Sequence, residues 1–151
     1  MEMRDGSGMV DITGKPPLHR SATAAGSILL KEATLEAIRS RQVRKGDVLS
    51  TARVAAILAV KETPRLMPMC HQIPITAIDV TFEFRPDAIM VFVTVTSIGM
   101  TGVEMEALSG VSAALLNIWD MVKSLEKDQT GNYPSTEIGE IMVLEKSKEQ
   151  I

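Results

Sequence analysis

Two alternating segments joined by a turn constrain the fold of this 151-residue sequence more than any other feature. Between residues 75 and 84 an apolar residue stands at every second position, at Ile78, Val80, Phe82 and Phe84. Apolar residues alternate again from Ile89 to Val95, and the intervening Arg85-Pro86-Asp87 is typical of a turn. Because successive side chains point to opposite faces of a strand, this pattern predicts a β-hairpin with one buried face.

Two helices are predicted before the hairpin. Apolar residues recur among charged ones from Glu32 to Gln42, which suits a short amphipathic helix. The next helix is predicted from Val48 to Glu62, with Asp47 as its N-cap, and Pro64 ends it. Its four alanines should let another backbone approach closely: Ala52, Ala55, Ala56 and Ala59.

A long helix is predicted after the hairpin. Thr101-Gly102-Val103-Glu104 matches a capping box, and the helical pattern continues to about Lys127. The apolar residues expected to face the core are spaced by threes and fours: Met105, Leu108, Val111, Leu115, Ile118, Val122 and Leu125.

The order of elements predicts the fold class. The second half of the segment 21–31 and the segment 138–144 are interpreted as the first and last strands. Strand, two helices, hairpin, long helix and strand give an α+β fold, with helices packed on one face of a mostly antiparallel sheet. Glycines and prolines in residues 1–20 indicate a flexible arm, and residues 21–151 read as a single domain.

Composition excludes several classes of protein. With 16 basic and 19 acidic residues, the chain lacks the basic excess expected of a nucleic-acid-binding protein. The single cysteine, Cys70, allows neither an intramolecular disulfide nor a cysteine-based zinc site. We find no signal peptide and no membrane-spanning segment, so we expect a cytosolic protein.

Two polar groups on the long helix are candidates for chemistry. Asp120 and Lys123 are three residues apart and therefore neighbours on one helical face. They could form an ordinary surface ion pair, which contributes little. Alternatively, the adjacent Trp119 could seat Asp120 against apolar material, where a carboxylate has a shifted pKa and acts as acid or base.

A second set of candidates flanks the hairpin and the start of the long helix. His71, in Met69-Cys70-His71, is either a structural histidine or a proton shuttle. Glu104 has a structural role available in the capping box, whereas Glu106 has none. Glu106 and Asp120 are 14 residues apart. That separation is about 21 Å along a helix. If one small substrate contacts both residues, the site must be shared by two protomers.

Lys45 is a candidate for binding an anion. It could be a solvated lysine after a helix end, or a phosphate ligand beside the N-terminus of the next helix. Lys123, Lys127 and Lys146 are expected to add positive charge to the same anion site.

Five stretches, in this order, resemble the cyclic pyranopterin monophosphate synthase (MoaC) family. They are Met9-Val10-Asp11-Ile12, Lys45-Gly46-Asp47-Val48 with Thr51-Ala52-Arg53, Met69-Cys70-His71, the segment from Thr101 to Leu108, and Trp119-Asp120-Met121 with Lys123. The resemblance implies a ferredoxin-like protomer and a homohexamer, a trimer of dimers with active sites across the dimer contact. It also implies conversion of 3′,8-cyclo-7,8-dihydroguanosine triphosphate to cyclic pyranopterin monophosphate and pyrophosphate, in molybdenum cofactor biosynthesis.

The resemblance also implies roles for individual residues. The residues that match catalytic positions are Asp120, Lys123 and Lys45. The residues that match substrate-binding positions are Met69, Cys70, His71, Glu104, Met105, Glu106 and Lys146. No resident cofactor and no protein-bound metal are implied, although a divalent ion could travel with the triphosphate. The competing hypotheses are a nucleotide-binding oligomer without catalysis and a scaffolding oligomer.

Overall fold

The computed structural model describes residues 8–151 of the chain. Residues 1–7 lie outside the described part. The elements, in chain order, are β1 Leu18–Leu29, α1 Glu32–Arg39, α2 Val48–Lys61, α3 Thr63–Leu66, β2 Ile75–Phe84, β3 Ala88–Gly99, α4 Glu104–Glu126 and β4 Glu137–Glu149. Asp47 accepts a hydrogen bond from Ser50 N at 3.1 Å, which confirms it as the N-cap of α2.

The strands form one antiparallel sheet in the order β2-β3-β1-β4. The crossing helices precede β2 and β4, so the connectivity is the split β-α-β-β-α-β arrangement of ferredoxin-like folds. The α+β fold class and the ferredoxin-like expectation are both confirmed.

The predicted hairpin places its apolar residues in the core. On β3, Ile89, Val91, Val93 and Val95 are fully buried, whereas the polar residues between the apolar positions of β2 are exposed. The helix α2 packs closely on α4 through Ala52 and Ala56, which are also fully buried. A Cβ added to Gly110 of α4 would lie only 2.9 Å from Val60 Cγ2, so the two helices have no room for a larger residue there.

Strand β1 is longer than predicted. It begins at Leu18, inside the segment 1–20 that was predicted to be an arm, and it includes the small residues that were not expected to form a strand. Small residues have low strand propensity, but β1 is hydrogen-bonded to β3 on one side and β4 on the other. This pairing outweighs local preference.

The start of α4 differs from the prediction. Val103 is its N-cap, and among the described residues no side chain caps this end, so the predicted capping box is wrong. The carboxylate of Glu104 is instead 3.1 Å from Lys146 Nζ on β4. A long-range ion pair has replaced the local hydrogen bond.

Two members of the predicted core face of α4 are exposed. Met105 is two residues before the buried Ala107, so the two side chains are about 200° apart around the helix axis. Met105 therefore points away from the side on which Ala107 is buried. Leu125 lies in the last turn, where Glu126 is buried in its place.

No helix between residues 8 and 151 is long and apolar enough to cross a membrane.

Candidate functional site

The predicted site residues lie in two groups near opposite ends of α4. Lys45, from the loop before α2, reaches the C-terminal half of α4 and donates to the backbone oxygen of Asp120 at 2.8 Å. The same Nζ is 3.3 Å from Asp120 Oδ2, and Lys123 Nζ is 3.3 Å from Asp120 Oδ1. We call these three residues the lysine–aspartate cluster.

The lysine–aspartate cluster faces solvent. The side chain of Asp120 is 59% exposed, so the expectation that Trp119 would seat it against apolar material is wrong. The Trp119 ring instead packs edge-on against Tyr133, with ring centroids 5.1 Å apart. The pKa of Asp120 is lowered, first by the hydrogen bond from Lys123 and then by Lys45. Asp120 is therefore held ionised between the two lysines.

The second group surrounds a cavity of about 390 Å³ at the N-terminal end of α4, which we call the histidine cavity. The turn before β2, the start of α4 and the N-terminal segment together form its walls. Its lining residues include Val10, Asp11, Ile12, Lys15, Met69, Cys70, His71, Ile73, Thr101, Gly102, Glu104, Met105 and Glu106. Six of the residues that the sequence singled out as substrate-binding thus face one space.

The turn that carries His71 is fixed by backbone and side-chain contacts. Cys70 N donates to Met67 O at 3.0 Å, and His71 Nε2 lies 2.6 Å from Val10 O. Burial raises the pKa of the Cys70 thiol, and the charge of Glu106 raises it further. Cys70 is therefore poised as a neutral thiol in the cavity wall.

Glu106 is the buried carboxyl of the histidine cavity, with 3% of its surface exposed. Its pKa is raised above the ordinary value, first by burial, which disfavours the charged form, and further by the neighbouring charge of Glu104. A hydrogen bond from its own backbone acts in the opposite direction. The surroundings thus make Glu106 bind its proton more tightly than an exposed glutamate does.

Lys146 belongs to the cavity end of the molecule. Its ion pair with Glu104 brings the exposed strand β4 to the cavity wall. Within one chain Lys146 lies at the opposite end of α4 from Lys45 and Lys123, so an anion site that all three share would need a second chain. Positive charge therefore lies at both ends of α4.

The N-terminal segment contributes residues that sequence reasoning missed. Lys15 and Asp11 line the histidine cavity, although the segment was predicted to be a flexible arm. The available signal was the Met9-Val10-Asp11-Ile12 stretch, one of the five that resemble the family. Within residues 8–151, no group of three or more His, Cys, Asp or Glu side chains is placed to share a metal ion.

The two groups do not form one site in a single chain. Among the described residues, the lysine–aspartate cluster and the histidine cavity have no member in common. Glu106 and Asp120 both lie on the continuous helix α4, 14 residues apart, which corresponds to about 21 Å. One small substrate cannot span that distance along the helix.

Known proteins are similar to this chain over nearly its whole length. A family model described as "MoaC family" matches residues 9–149. A probable cyclic pyranopterin monophosphate synthase from Methanococcoides burtonii is 63% identical over 143 residues, which cover 95% of this chain and 90% of that protein. Another from Aeropyrum pernix is 58% identical over 143 residues, covering 95% of this chain and 98% of that protein. A probable cyclic pyranopterin monophosphate synthase accessory protein from Methanothermobacter thermautotrophicus is 54% identical over 140 residues, covering 93% and 88%.

Proposed function

Because the chain belongs to the MoaC family, we propose that it is a cyclic pyranopterin monophosphate synthase, a lyase of molybdenum cofactor biosynthesis. The substrate is 3′,8-cyclo-7,8-dihydroguanosine 5′-triphosphate, and the products are cyclic pyranopterin monophosphate and pyrophosphate. The structural observation that carries the proposal is that six residues matching the family's substrate-binding positions line one cavity, while Lys45 and Lys123 flank Asp120 at the other end of α4. The names of the relatives give the product, and the substrate and pyrophosphate are what the resemblance to the family implies.

The shifted carboxyl groups suit the proton transfers of this reaction. Opening and reclosing the purine ring requires protons to be removed and returned at several atoms, and groups with matched pKa values catalyse such steps. Glu106, with its raised pKa, serves as the donor, and the ionised Asp120 serves as the acceptor. Two carboxyl groups whose environments separate their pKa values indicate an acid and a base.

The lysines suit the triphosphate. As the cyclic phosphate forms and pyrophosphate leaves, negative charge must be stabilised by fixed positive groups. Lys45 and Lys123 provide such groups at one end of α4, and Lys146 provides one at the other. Lys45 also lies two residues before the N-cap of α2, where free backbone amides favour an anion. The protein requires no resident cofactor, and any divalent ion arrives with the triphosphate.

We further propose that the active site forms between two chains of a homohexamer, a trimer of dimers. The separation of the lysine–aspartate cluster from the histidine cavity supports a second chain, because a dimer can place one group opposite the other. Exposed apolar side chains on two surfaces also favour burial against another copy. These side chains lie on the helices, at Val54, Leu58 and Leu116, and on β4, at Ile141, Met142, Val143 and Leu144.

The proposed partners are the nucleotide-derived substrate and other copies of the chain, without nucleic acid or membrane. The formal charge of −3 supports the absence of nucleic acid. We propose that the reaction takes place in the cytoplasm. The single cysteine forms no intramolecular disulfide, which suits a reducing compartment.

A turnover assay tests the proposal. Purified protein is mixed with the cyclised nucleotide triphosphate, and pyrophosphate and pterin product are followed together. The proposal predicts both products in equal amounts. Tight binding without turnover would favour a nucleotide-binding protein instead, and neither binding nor turnover would favour a scaffold.

A further inference from the structure

We propose that the N-terminal segment Met9–Lys15 is a built part of the active site, and that its Val10 carbonyl fixes which nitrogen of His71 transfers protons. That nitrogen is Nδ1. The inference rests on the proposed function for its chemistry, and it assigns a role to the Met9-Val10-Asp11-Ile12 stretch, which the proposed function leaves unused.

The contact that carries the inference is the hydrogen bond between His71 Nε2 and Val10 O, 2.6 Å long. The two residues are 61 positions apart in sequence, so the bond joins the N-terminal segment to the turn before β2. Both residues line the histidine cavity. The segment therefore forms the part of the cavity wall that contacts His71.

A carbonyl oxygen can only accept a hydrogen bond, so Nε2 must carry the proton in this contact. Neutral imidazole has one N–H, and the hydrogen bond made by one ring nitrogen determines the state of the other. Nδ1 is therefore left with a free lone pair. In this arrangement Nδ1 takes a proton from the substrate and later returns it, while Nε2 remains bonded to Val10.

The segment has internal structure that holds the Val10 carbonyl in place. Asp11 Oδ1 accepts from Thr13 N at 2.9 Å, and Lys15 N donates to Ile12 O at 2.9 Å. These two bonds form consecutive turns directly after Val10. The pKa of Asp11 is lowered, chiefly by its hydrogen bonds from Thr13. The carboxylate of Asp11 thus shapes the segment directly after Val10.

An isosteric pair of substitutions tests the bond between His71 and the segment. In His71→Gln the side-chain amide nitrogen can occupy the place of Nε2 and donate to Val10 O. In His71→Asn the amide nitrogen lies nearer the place of Nδ1, and the bond is lost. Millisecond hydrogen exchange of the Thr13 and Lys15 amides is the measurement. We expect His71→Gln to match the unsubstituted protein and His71→Asn to exchange about threefold to tenfold faster, the effect of losing one hydrogen bond.

Equal exchange in His71→Gln and His71→Asn would overturn the proposed contact. Asp11→Ala and Asp11→Asn provide a second pair with His71 intact. Asn keeps an acceptor for Thr13 N, so only Asp11→Ala should release the segment. Exchange needs no substrate, and its result is therefore independent of whether the protein is a synthase.

The assignment of Nδ1 is tested by replacing His71 with 3-(pyrrol-3-yl)alanine, whose ring keeps an N–H donor at the place of Nε2 and has a carbon at the place of Nδ1. Turnover should fall by roughly 10²–10⁴, the usual effect of losing a proton-transfer group. Retained turnover would show that Nδ1 transfers no required proton and would overturn the assignment. If the unsubstituted protein lacked turnover, the proposed function would fail instead.

Discussion

At the scale of single residues, α4 separates the proton affinities of two carboxyl groups by giving them different surroundings. Glu106 is buried and next to Glu104, so its pKa is raised. Asp120 is exposed between Lys123 and Lys45, so its pKa is lowered. The surroundings of Asp120 cannot be deduced from the spacing of residues on the helix alone, because Lys45 comes from a position 75 residues away.

Replacing Asp120 by asparagine tests its role as proton acceptor. Asp120→Asn keeps the size of the side chain and an oxygen acceptor for the lysines, but it cannot take a proton. We expect a folded protein whose turnover is lower by roughly 10²–10⁴. Asp79→Asn, at an exposed position of β2, is the matched control and should be fully active. Near-normal turnover in Asp120→Asn would remove Asp120 from the catalytic residues.

The raised pKa of Glu106 predicts a dependence of stability on pH. Because the folded chain binds this proton more tightly than the unfolded chain, the associated stability is fully present below the ordinary glutamate pKa of 4.5. It is lost as the pH rises through the raised folded value. Glu106→Gln cannot ionise and avoids the loss. As pH rises, the free energy of unfolding measured in urea should therefore fall less for Glu106→Gln than for the unsubstituted protein. A difference between the two proteins that stays constant with pH would contradict the raised pKa.

At the scale of elements, local patterns were sufficient wherever neighbours in sequence decide the structure. The hairpin and the N-cap of α2 were predicted because alternation and capping depend on a few adjacent residues. The start of α4 was not, since the Glu104 carboxylate pairs with Lys146 from another element. Buried Glu126 accepts from Lys31 N at 3.1 Å and from Thr34 Oγ1 and Thr136 Oγ1. No local pattern shows that this charged residue joins α4 to α1 and to the approach to β4.

The N-cap of α2 makes a prediction about stability at this scale. Asp47→Ala removes the acceptor of Ser50 N and should lower the free energy of unfolding. Asp47→Ser, which keeps a capping oxygen, is the control and should lose much less. Urea denaturation of both variants measures the difference. Equal losses would mean that the carboxylate charge matters rather than the cap.

At the scale of the whole molecule, one protomer carries two incomplete halves of a site. The resemblance identified the residues of both halves from the sequence, but their positions follow from the fold. Three of them gather at one end of α4, six line the histidine cavity at the opposite end, and Lys146 pairs with Glu104 of that cavity. The exposed apolar side chains of α2, α4 and β4 provide surfaces through which a second chain can complete each half.

Complementation between two inactive variants tests this shared site most directly. Asp120→Asn inactivates the lysine–aspartate cluster and Glu106→Gln inactivates the histidine cavity, so each variant alone should be inactive. Co-expressed in equal amounts and purified through two different tags, they should recover activity. If each site takes one half from each of two chains, about a quarter of sites in a random mixture are intact, by symmetry. Activity near a quarter of the unsubstituted level is the predicted result. No activity above that of the separate variants would contradict the account, because every site built from one chain would retain a defect.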